Sequence, residues 1–475
     1  MKKILKTSLV AIGTAAWLVG CGQQGNETYV TEITLSDDKI TVDGSVISGN
    51  EESAVYVAND IVFYLEGQGF TYGEGTAEDE HSQEEADGHT VVHITEPGTY
   101  AVSGSLSAGQ IAIDLGKDAK EDSEAVVTLI LNGVDINCTV APAVIFYNVY
   151  ECGDSDAETA TKDVDTTRAG ANVVIGDGTV NHVTGSYVAR IYKSYELNVA
   201  GTEVVDSKKL HKYDAAFYSK MSMNIDGGEK GTGVLNITAE NEGLDSELHL
   251  SINGGNINIV SGNDGINTNE DEVSVTTING GVLNIRVSGE TGEGDGIDSN
   301  GWLVINGGTV IAQACGFSPD AGIDSDMGIH INGGTVIASG NMLDHISESN
   351  QNYVVFRFAS NQKGGSVYTM KNVKGDVVFE YTPENNFGYL IISSEKLKAG
   401  TYTLWTGEVQ LAASTGAVMG GFGGGMMGGM PGGFRDGMPG GFPGGFAMGE
   451  NTELSTDIVI VDGGNYFVNV SAAEK

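Results

Sequence analysis

The stretch that decides the fold occupies residues 278–308 and reads INGGVLNIRVSGETGEGDGIDSNGWLVINGG. Its first motif, Ile-Asn-Gly-Gly, starts at Ile252, Ile278, Ile305 and Ile331, and a variant, Ile-Asp-Gly-Gly, starts at Ile225. Successive copies are separated by 27, 26, 27 and 26 residues. A second motif, Asp-Gly-Ile-Asp at residues 295–298, returns in the same phase. Two motifs that recur together at one period indicate a repeat architecture.

Apolar and polar residues alternate between the two motifs, as in Val282–Val287. Short β-branched segments with this alternation, punctuated by Gly and Asn, are typical of strands. The repeat is shorter than a propeller blade of about 40 residues, and it lacks the Leu ladder of leucine-rich repeats. We therefore predict an all-β fold, a single-stranded parallel β-helix (a solenoid) with coils of about 26 residues.

The same strand-and-turn pattern fades towards both ends of the chain and divides it into segments. An acidic insertion at Thr76–His89 is expected to be a mobile loop. The predicted segments are a lipoprotein signal peptide (1–20), a tether (21–35), irregular N-terminal coils with the acidic loop (36–165), regular coils (166–345), C-terminal coils (346–412), a Gly/Met/Phe-rich loop (413–450) and a closing strand (451–475).

The first 21 residues predict the compartment. Lys2, Lys3 and Lys6 precede a largely apolar run that is too short to span a bilayer and suits a signal peptide. The run ends Leu-Val-Gly-Cys, which resembles the lipobox of bacterial lipoproteins and marks Cys21 for acylation. We expect an extracytoplasmic protein, lipid-anchored to the cell membrane; an ordinary secretory signal is the alternative.

Three further cysteines, Cys138, Cys152 and Cys315, match no zinc-binding spacing. Small buried thiols are the expected state, and a disulfide between Cys138 and Cys152 is the alternative. The chain has 64 Asp and Glu against 24 Lys and Arg, a formal charge of −40. Phosphate neutralisation is therefore excluded as a binding mode, so no nucleic acid is expected as a partner. An acidic chain of this kind should attract cations, calcium above all.

The acidic residues of the second motif are the candidate chemistry. If Ile297 points inward, alternation turns Asp298 and Asn300 outward, and coils about 4.8 Å apart stack their oxygens in columns. That spacing suits a calcium ion about 2.4 Å from an oxygen on either side. Between residues 231 and 345 there are 16 acidic residues and one basic residue, so the columns need a cation. The candidate calcium ligands are Asp245, Asp264, Asn267, Asp295, Asp298, Asn300, Asp324 and Asp326.

These motifs, with Gly98–Gly104 and Leu129–Gly133, resemble a bacterial carbohydrate-binding β-helix family known from clostridial cell-surface proteins. The resemblance covers residues 91–407 and implies a right-handed parallel β-helix with bound calcium that binds cellulose or acidic sugars such as polygalacturonate. Residues 241–247 depart from the motif because Glu242 and Leu244 replace Asp and Ile. The residues at the acidic turn positions of the family are Asp264, Asn267, Asp295, Asp298 and Asp324.

The resemblance leads us to predict a lipid-anchored carbohydrate-binding protein, with calcium as cofactor and an acidic plant glycan or cellulose as partner. Arg286 is a candidate clamp for a sugar carboxylate and Trp302 a candidate platform for a sugar ring; a lone surface charge and a packed side chain are the alternatives. The Asp-Gly-Ile-Asp turn also resembles the calcium site of pectate lyases, whose chemistry needs a basic residue, such as Lys220 or Lys230, near the metal. A purely structural surface protein or adhesin is the third possibility.

Overall fold

The computed structural model describes residues 29–418, 447–448 and 453–473. The described chain is all-β: besides one α-helix, Gln83–Asp87, and one 3-10 turn, Ala119–Glu121, its regular elements are strands. Within these residues, no helix is long and apolar enough to cross a bilayer. The predicted signal peptide, Cys21 and most of the Gly/Met/Phe-rich segment lie outside the described residues.

Most strands stack in three parallel ladders, and each regular repeat contributes one strand to each ladder. The first ladder contains the strands that end on the Ile of Ile-Asn-Gly-Gly, so that Ile225, Ile252, Ile278, Ile305 and Ile331 lie in one register column. Its strands are Gly98–Leu106, Val127–Asn137, Ala171–Ile175, Met223–Asp226, His249–Ile252, Val275–Ile278, Trp302–Ile305, Gly328–Ile331 and Ile346–Ser349.

The second ladder follows the Gly-Gly pair. It shares Val127–Asn137 with the first ladder and continues with Val180–Gly185, Val234–Ala239, Asn256–Ser261, Val282–Val287, Thr309–Gln313 and Thr335–Gly340. The first and second ladders belong to one mixed sheet of 26 strands.

The third ladder carries the acidic motif in a separate sheet of eight strands. Its outermost strand, Val55–Ala58, is antiparallel to its neighbour, and the remaining pairs are parallel. The strands are Val55–Ala58, Thr90–Ile94, Gly109–Asp114, Val144–Asn148, Ala215–Ser219, Glu242–Ser246, Ile266–Thr268 and Ile297–Ser299.

The core lies between the ladders because each ladder turns its apolar residues to the same side. Ile278, Ile285 and Ile297, one from each strand of a single repeat, are at most 1% exposed and belong to one continuous cluster. In every Gly-Gly pair the second glycine has a positive φ, +85° at Gly281, which turns the chain from the first ladder into the second.

The segment predicted as C-terminal coils folds differently beyond residue 352. Phe387–Ser394 pairs antiparallel with Thr335–Gly340 and ends the second ladder, and a second apolar cluster forms behind it. Antiparallel partners replace the 26-residue repeat here, so the prediction of further coils is wrong for this segment. Its strands are Tyr353–Gln362, Tyr368–Asn372, Val377–Tyr381, Phe387–Ser394, Gly400–Thr406, Val409–Thr415, Ile458–Ile460 and Gly464–Ala472, with a short pair Ala417–Val418 and Ala447–Met448.

Two boundaries near the N-terminus also differ from expectation. Val30–Leu35 is a strand paired in parallel with Gly98–Leu106, because Ile33 and Leu35 are buried, so residues 30–35 are not a tether. Two short strands, Thr41–Val42 and Ser45–Val46, extend it. The acidic insertion contains the helix Gln83–Asp87, capped by the Ser82 hydroxyl. Cys138, Cys152 and Cys315 are free thiols.

Candidate metal centre

The acidic motif lies on the outward face of the third ladder. Ile266 and Ile297 are fully buried on the inner face, so the next residue of each strand turns outward. The register pairs Asp245 with Asn267 and Asn267 with Asp298. These three side chains therefore form one column, and equivalent positions of neighbouring repeats lie one strand spacing apart, about 4.8 Å.

Three carboxylates meet at the upper end of this face. Asp295, Asp298 and Asp324 each offer one oxygen, and the three oxygens lie within 4.8 Å of one another. All three side chains are partly buried. Convergent carboxylate oxygens without His or Cys are the ligands preferred by hard cations such as calcium.

Backbone N–H groups hold these acids in place. The amide of Asp295 donates to Asp264 Oδ1 at 2.6 Å, and the amide of Ala321 donates to Asp295 Oδ1. The amide of Gly294 similarly donates to Asp320 Oδ2 at 2.8 Å. One oxygen of each of these carboxylates is thereby positioned by the backbone of a neighbouring repeat.

The lower end of the column contains buried oxygens without partners. Asn267 Nδ2 donates to Glu242 Oε1 at 3.1 Å, and Asn269 Nδ2 donates to Asp245 Oδ1 at 2.6 Å. The remaining oxygens, Glu242 Oε2, Asp245 Oδ2 and Asn267 Oδ1, are buried and find no hydrogen-bond partner among the described residues. A buried polar atom without a partner is costly, so these oxygens are suited to an added ligand.

Burial and mutual repulsion raise the pKa of the whole group. The pKa of Asp298 is raised well above its usual value, first by burial and then by Asp264, Asp324 and Asp326. Burial raises the pKa of Glu242 to about 8 and that of Asp324 to about 6. No basic residue contributes to the shifts of Asp295 or Asp298. The upper carboxylates therefore ionise together only at a high electrostatic cost unless a cation joins them.

Two of the predicted ligands lie at the edge of the group. The amide of Asn300 donates to the carbonyl of Asn269 and to Asp271 Oδ1, both at 3.1 Å, so its side chain is already engaged. Asp326 is exposed. The three-carboxylate group contains neither residue.

Sequence reasoning missed Asp344, which faces Asp324. Burial raises the pKa of Asp344 to about 7, and Asp324 raises it further. Its Oδ2 is buried without a partner in the part of the chain that the structure describes. The available signal was weak: Leu343-Asp344 follows a second-ladder strand as Ile323-Asp324 does, but without the glycine of the motif.

The two predicted sugar-binding residues are not brought to the acidic columns. Arg286 lies on the second ladder, where its Nε is 3.3 Å from Glu384 Oε2. Trp302 lies on the first ladder, in register with Val275 and Gly328, and is partly buried. The basic residue that does reach the columns is Lys212, whose Nζ donates to Asn269 Oδ1 at 2.9 Å. It precedes the repeats that carry the motif, which is why the motif did not reveal it.

Comparison with known proteins identifies the class to which this molecule belongs. Residues 87–357 match the family described as carbohydrate-binding domain-containing protein, and the chain belongs to that family. A carbohydrate-binding domain-containing protein of Acetivibrio thermocellus (strain ATCC 27405) is 31% identical over 170 residues, which cover 35% of this chain and 44% of that protein. The matched region thus spans less than half of this relative.

Among solved structures, the chain is similar to one titled as the polysaccharide lyase-like protein from C. thermocellum, gadolinium derivative. The alignment covers 68% of this chain and 93% of that chain, with 17% identity and a TM-score of 0.37. At this level the similarity carries no argument about site or activity.

Proposed function

We propose that this protein binds an acidic, polygalacturonate-like polysaccharide, with cellulose as the neutral alternative, through calcium held on the third ladder. Membership of a carbohydrate-binding family supports the partner class. The observation that carries the metal is the convergence of Asp295, Asp298 and Asp324, whose oxygens lie within 4.8 Å of one another. The unpartnered buried oxygens of Asp245 and Asp344 support it independently.

Calcium suits this donor set because it takes six to eight oxygen ligands in flexible geometry. Carboxylates of Asp295, Asp298 and Asp324, with Asp264 and Asp344 beside them, would hold the ion. Such a set leaves coordination positions for oxygens of a ligand. A uronate carboxylate is the matching sugar group because it is anionic and offers hard oxygens.

The net charge of the chain gives calcium a second task. A formal charge of −40 repels a polyanionic glycan, so contact with it requires cations at the point of binding. Metal ions on the acidic columns would supply them. Binding of the acidic glycan should therefore depend on calcium, whereas binding of cellulose through polar and aromatic groups should not.

The three ladders also support a finer description of the fold. We propose that they are the three faces of one right-handed single-stranded parallel β-helix. The equal step of about 26 residues in all three, and one strand per repeat in each, support this arrangement. In a β-helix the acidic columns run along one edge of the coil, where a linear polymer can follow them.

The location of the protein follows from the residues before the fold. We propose that Cys21 carries the lipid anchor and that the protein faces the outside of the cell. The basic and apolar residues of 1–20 support this. Mass spectrometry of the mature protein from membranes tests it: an N-terminal residue other than acylated Cys21 would exclude the anchor.

A polysaccharide lyase is the second candidate function, and Lys212 favours it. Its Nζ lies 2.9 Å from Asn269 Oδ1, beside the columns that would hold calcium and uronate. A neutral amine there could take the proton α to the uronate carboxylate; the glycosidic C–O bond breaks and a C=C bond forms. Ultraviolet absorbance of the unsaturated product tests this, and its absence on polygalacturonate excludes the lyase.

The proposed function is tested by retention on immobilised polygalacturonate and on cellulose, each with calcium and with EDTA. We expect retention on polygalacturonate in calcium only. Asp298→Asn should weaken it about tenfold, because one ligand charge is lost. Asp38→Asn, at an exposed Asp outside the ladder, is the matched control and should bind as the wild type does. Retention that survives both EDTA and Asp298→Asn would remove calcium from the mechanism, and no retention on any glycan would favour a structural role.

A further inference from the structure

A β-hairpin that stands apart from the three ladders concentrates positive charge. Its strands, Tyr192–Leu197 and Val204–Lys209, pair only with each other, and most of their residues are exposed. The hairpin and its base hold three acidic residues and five of the chain's 24 Lys and Arg residues, namely Arg190, Lys193, Lys208, Lys209 and Lys212. In a chain of formal charge −40, this excess of cations marks a surface for an anionic partner.

The base of the hairpin is fixed beside the acidic columns. The amide of Tyr192 donates to the carbonyl of Tyr72 and the amide of Leu210 donates to the carbonyl of Ile191, both at 2.8 Å. Lys212 then reaches Asn269, whose amide donates to Asp245 Oδ1 at 2.6 Å. Two hydrogen bonds thus connect the hairpin base to the proposed metal column.

The cations at this base are crowded and short of anionic partners. Arg190 Nη1 lies 3.2 Å from Glu74 Oε2. Within the described residues, neither Lys209 nor Lys212 lies within 4.0 Å of a carboxylate oxygen. Burial, followed by repulsion from Arg190 and Lys212, lowers the pKa of Lys209. The acid that faces all three is Asp214, whose pKa burial raises to about 7. A bound anion would relieve this repulsion.

A buried histidine between these cations also lacks partners. His211 is 7% exposed, and neither of its ring nitrogens has a hydrogen-bond partner among the described residues. Its ring stacks on that of Tyr213, with centroids 3.8 Å apart. A neutral imidazole offers one donor and one acceptor, which is the pair that a sugar hydroxyl requires.

We propose that the hairpin and its base bind the carboxylates and hydroxyls of the same acidic glycan, at sugar residues next to those held by calcium. This inference rests on the proposed function. Positive side chains, an unpartnered imidazole and the adjoining metal column together fit a polymer that carries a carboxylate on every sugar. The exposed lysines extend the contact away from the ladder, so a longer oligomer should bind more tightly than a single uronate.

The experiment compares the double variant Lys209→Gln/Lys212→Gln with the wild-type chain in calcium. Calorimetry measures affinity for polygalacturonate, for its fully methyl-esterified form and for calcium alone. We expect about tenfold weaker binding of polygalacturonate, because two charge-assisted contacts are lost, with unchanged calcium affinity and unchanged binding of the ester. The matched control, Lys363→Gln/Lys374→Gln, removes two exposed lysines of the C-terminal sheets and should bind as the wild type does.

The outcomes separate this inference from the proposed function. If the wild type binds polygalacturonate and the hairpin variant binds it equally, the hairpin assignment alone is wrong. If the wild type does not bind polygalacturonate at all, the proposed function fails and the inference with it. Wild-type binding to anionic phosphatidylglycerol vesicles but not to polygalacturonate, lost in the variant, would assign the hairpin to a membrane surface. If the first variant does not fold, Lys193→Gln/Lys208→Gln, at two exposed hairpin positions, gives the same test.

Discussion

His249 lies at a point where the first ladder is covered by a loop. It is 2% exposed, and its Nδ1 accepts a hydrogen bond from the amide of Val275 at 3.1 Å. An added Cβ at Gly153 would lie 2.6 Å from its ring, so the loop leaves no space for water there. Burial lowers the pKa of His249 from 6.5 to about 4, which keeps the ring neutral in the folded protein.

This residue predicts a loss of stability in acid. Below pH 6.5 the unfolded chain binds a proton on His249 that the folded chain does not bind until about pH 4, so folding becomes less favourable as the pH falls through that window. His249→Asn keeps an acceptor for Val275 and removes the titration. We expect the free energy of unfolding of the wild type to fall by about 3 kcal/mol more than that of the variant between pH 6.5 and 4.

Urea denaturation of both proteins at several pH values measures this difference, and EDTA in all samples keeps the acidic columns alike. Parallel curves for the two proteins across the window would show that His249 does not titrate differently on folding.

Single residues were predictable from sequence where the repeat determines their direction. Asp245, Asn267 and Asp298 stack as alternation and register require. Asn300 and Arg286 also point outward, but a nearby Asp271 and a distant Glu384 engage them. Asp271 and Glu384 belong to a turn and to the C-terminal segment, which the period of the repeat does not specify.

At the scale of the strand and its turn, two backbone features hold the corner between the first and second ladders. The side chains of Asn253, Asn279, Asn306 and Asn332 form a chain of amide hydrogen bonds, each 2.8 Å long. The glycines beside them let adjacent repeats approach closely: a Cβ at Gly281 would lie 2.6 Å from the carbonyl oxygen of Gly255. Only glycine fits there without movement of backbone.

Gly281→Ala should therefore destabilise the protein by two effects, a positive φ and a backbone clash. Gly292→Ala is the matched control, because Gly292 also has a positive φ but a Cβ there meets nothing within 4 Å. We expect a loss of about 3 kcal/mol for Gly281→Ala and about 1 kcal/mol for Gly292→Ala. Equal losses in urea denaturation would show that conformational strain alone sets the cost at this corner.

Elements inside the repeat were predictable because each copy gives independent evidence for the same strand. The hairpin Tyr192–Leu197 and Val204–Lys209 was not, since it occurs once and pairs only with itself. The helix Gln83–Asp87 was missed for the same reason: it is a short insertion stabilised by one cap and by contacts of its buried Ala86.

The whole molecule places its repulsive charges and its apolar core on opposite sides of the same strands. The parallel stacking of residues 166–345 follows from the repeat, and burial of one Ile column supplies the driving force. The antiparallel C-terminal sheets have no counterpart in the repeat, and the partners of Phe387–Ser394 are set by tertiary contacts that pattern reasoning does not reach.

At this scale the acidic columns make stability depend on a cation. Calcium that binds the folded chain and not the unfolded chain stabilises it by about 2.7 kcal/mol at 100 times its dissociation constant, which raises the melting temperature by several degrees. EDTA should reverse the rise, and Asp298→Asn should reduce it. Magnesium should give a smaller rise, because it demands octahedral geometry and keeps its water, whereas the ladder offers a fixed group of carboxylates. A melting temperature that does not respond to calcium would mean that the buried acids are neutralised by protons instead, with Asp295, Asp298 and Asp324 sharing them across adjacent repeats.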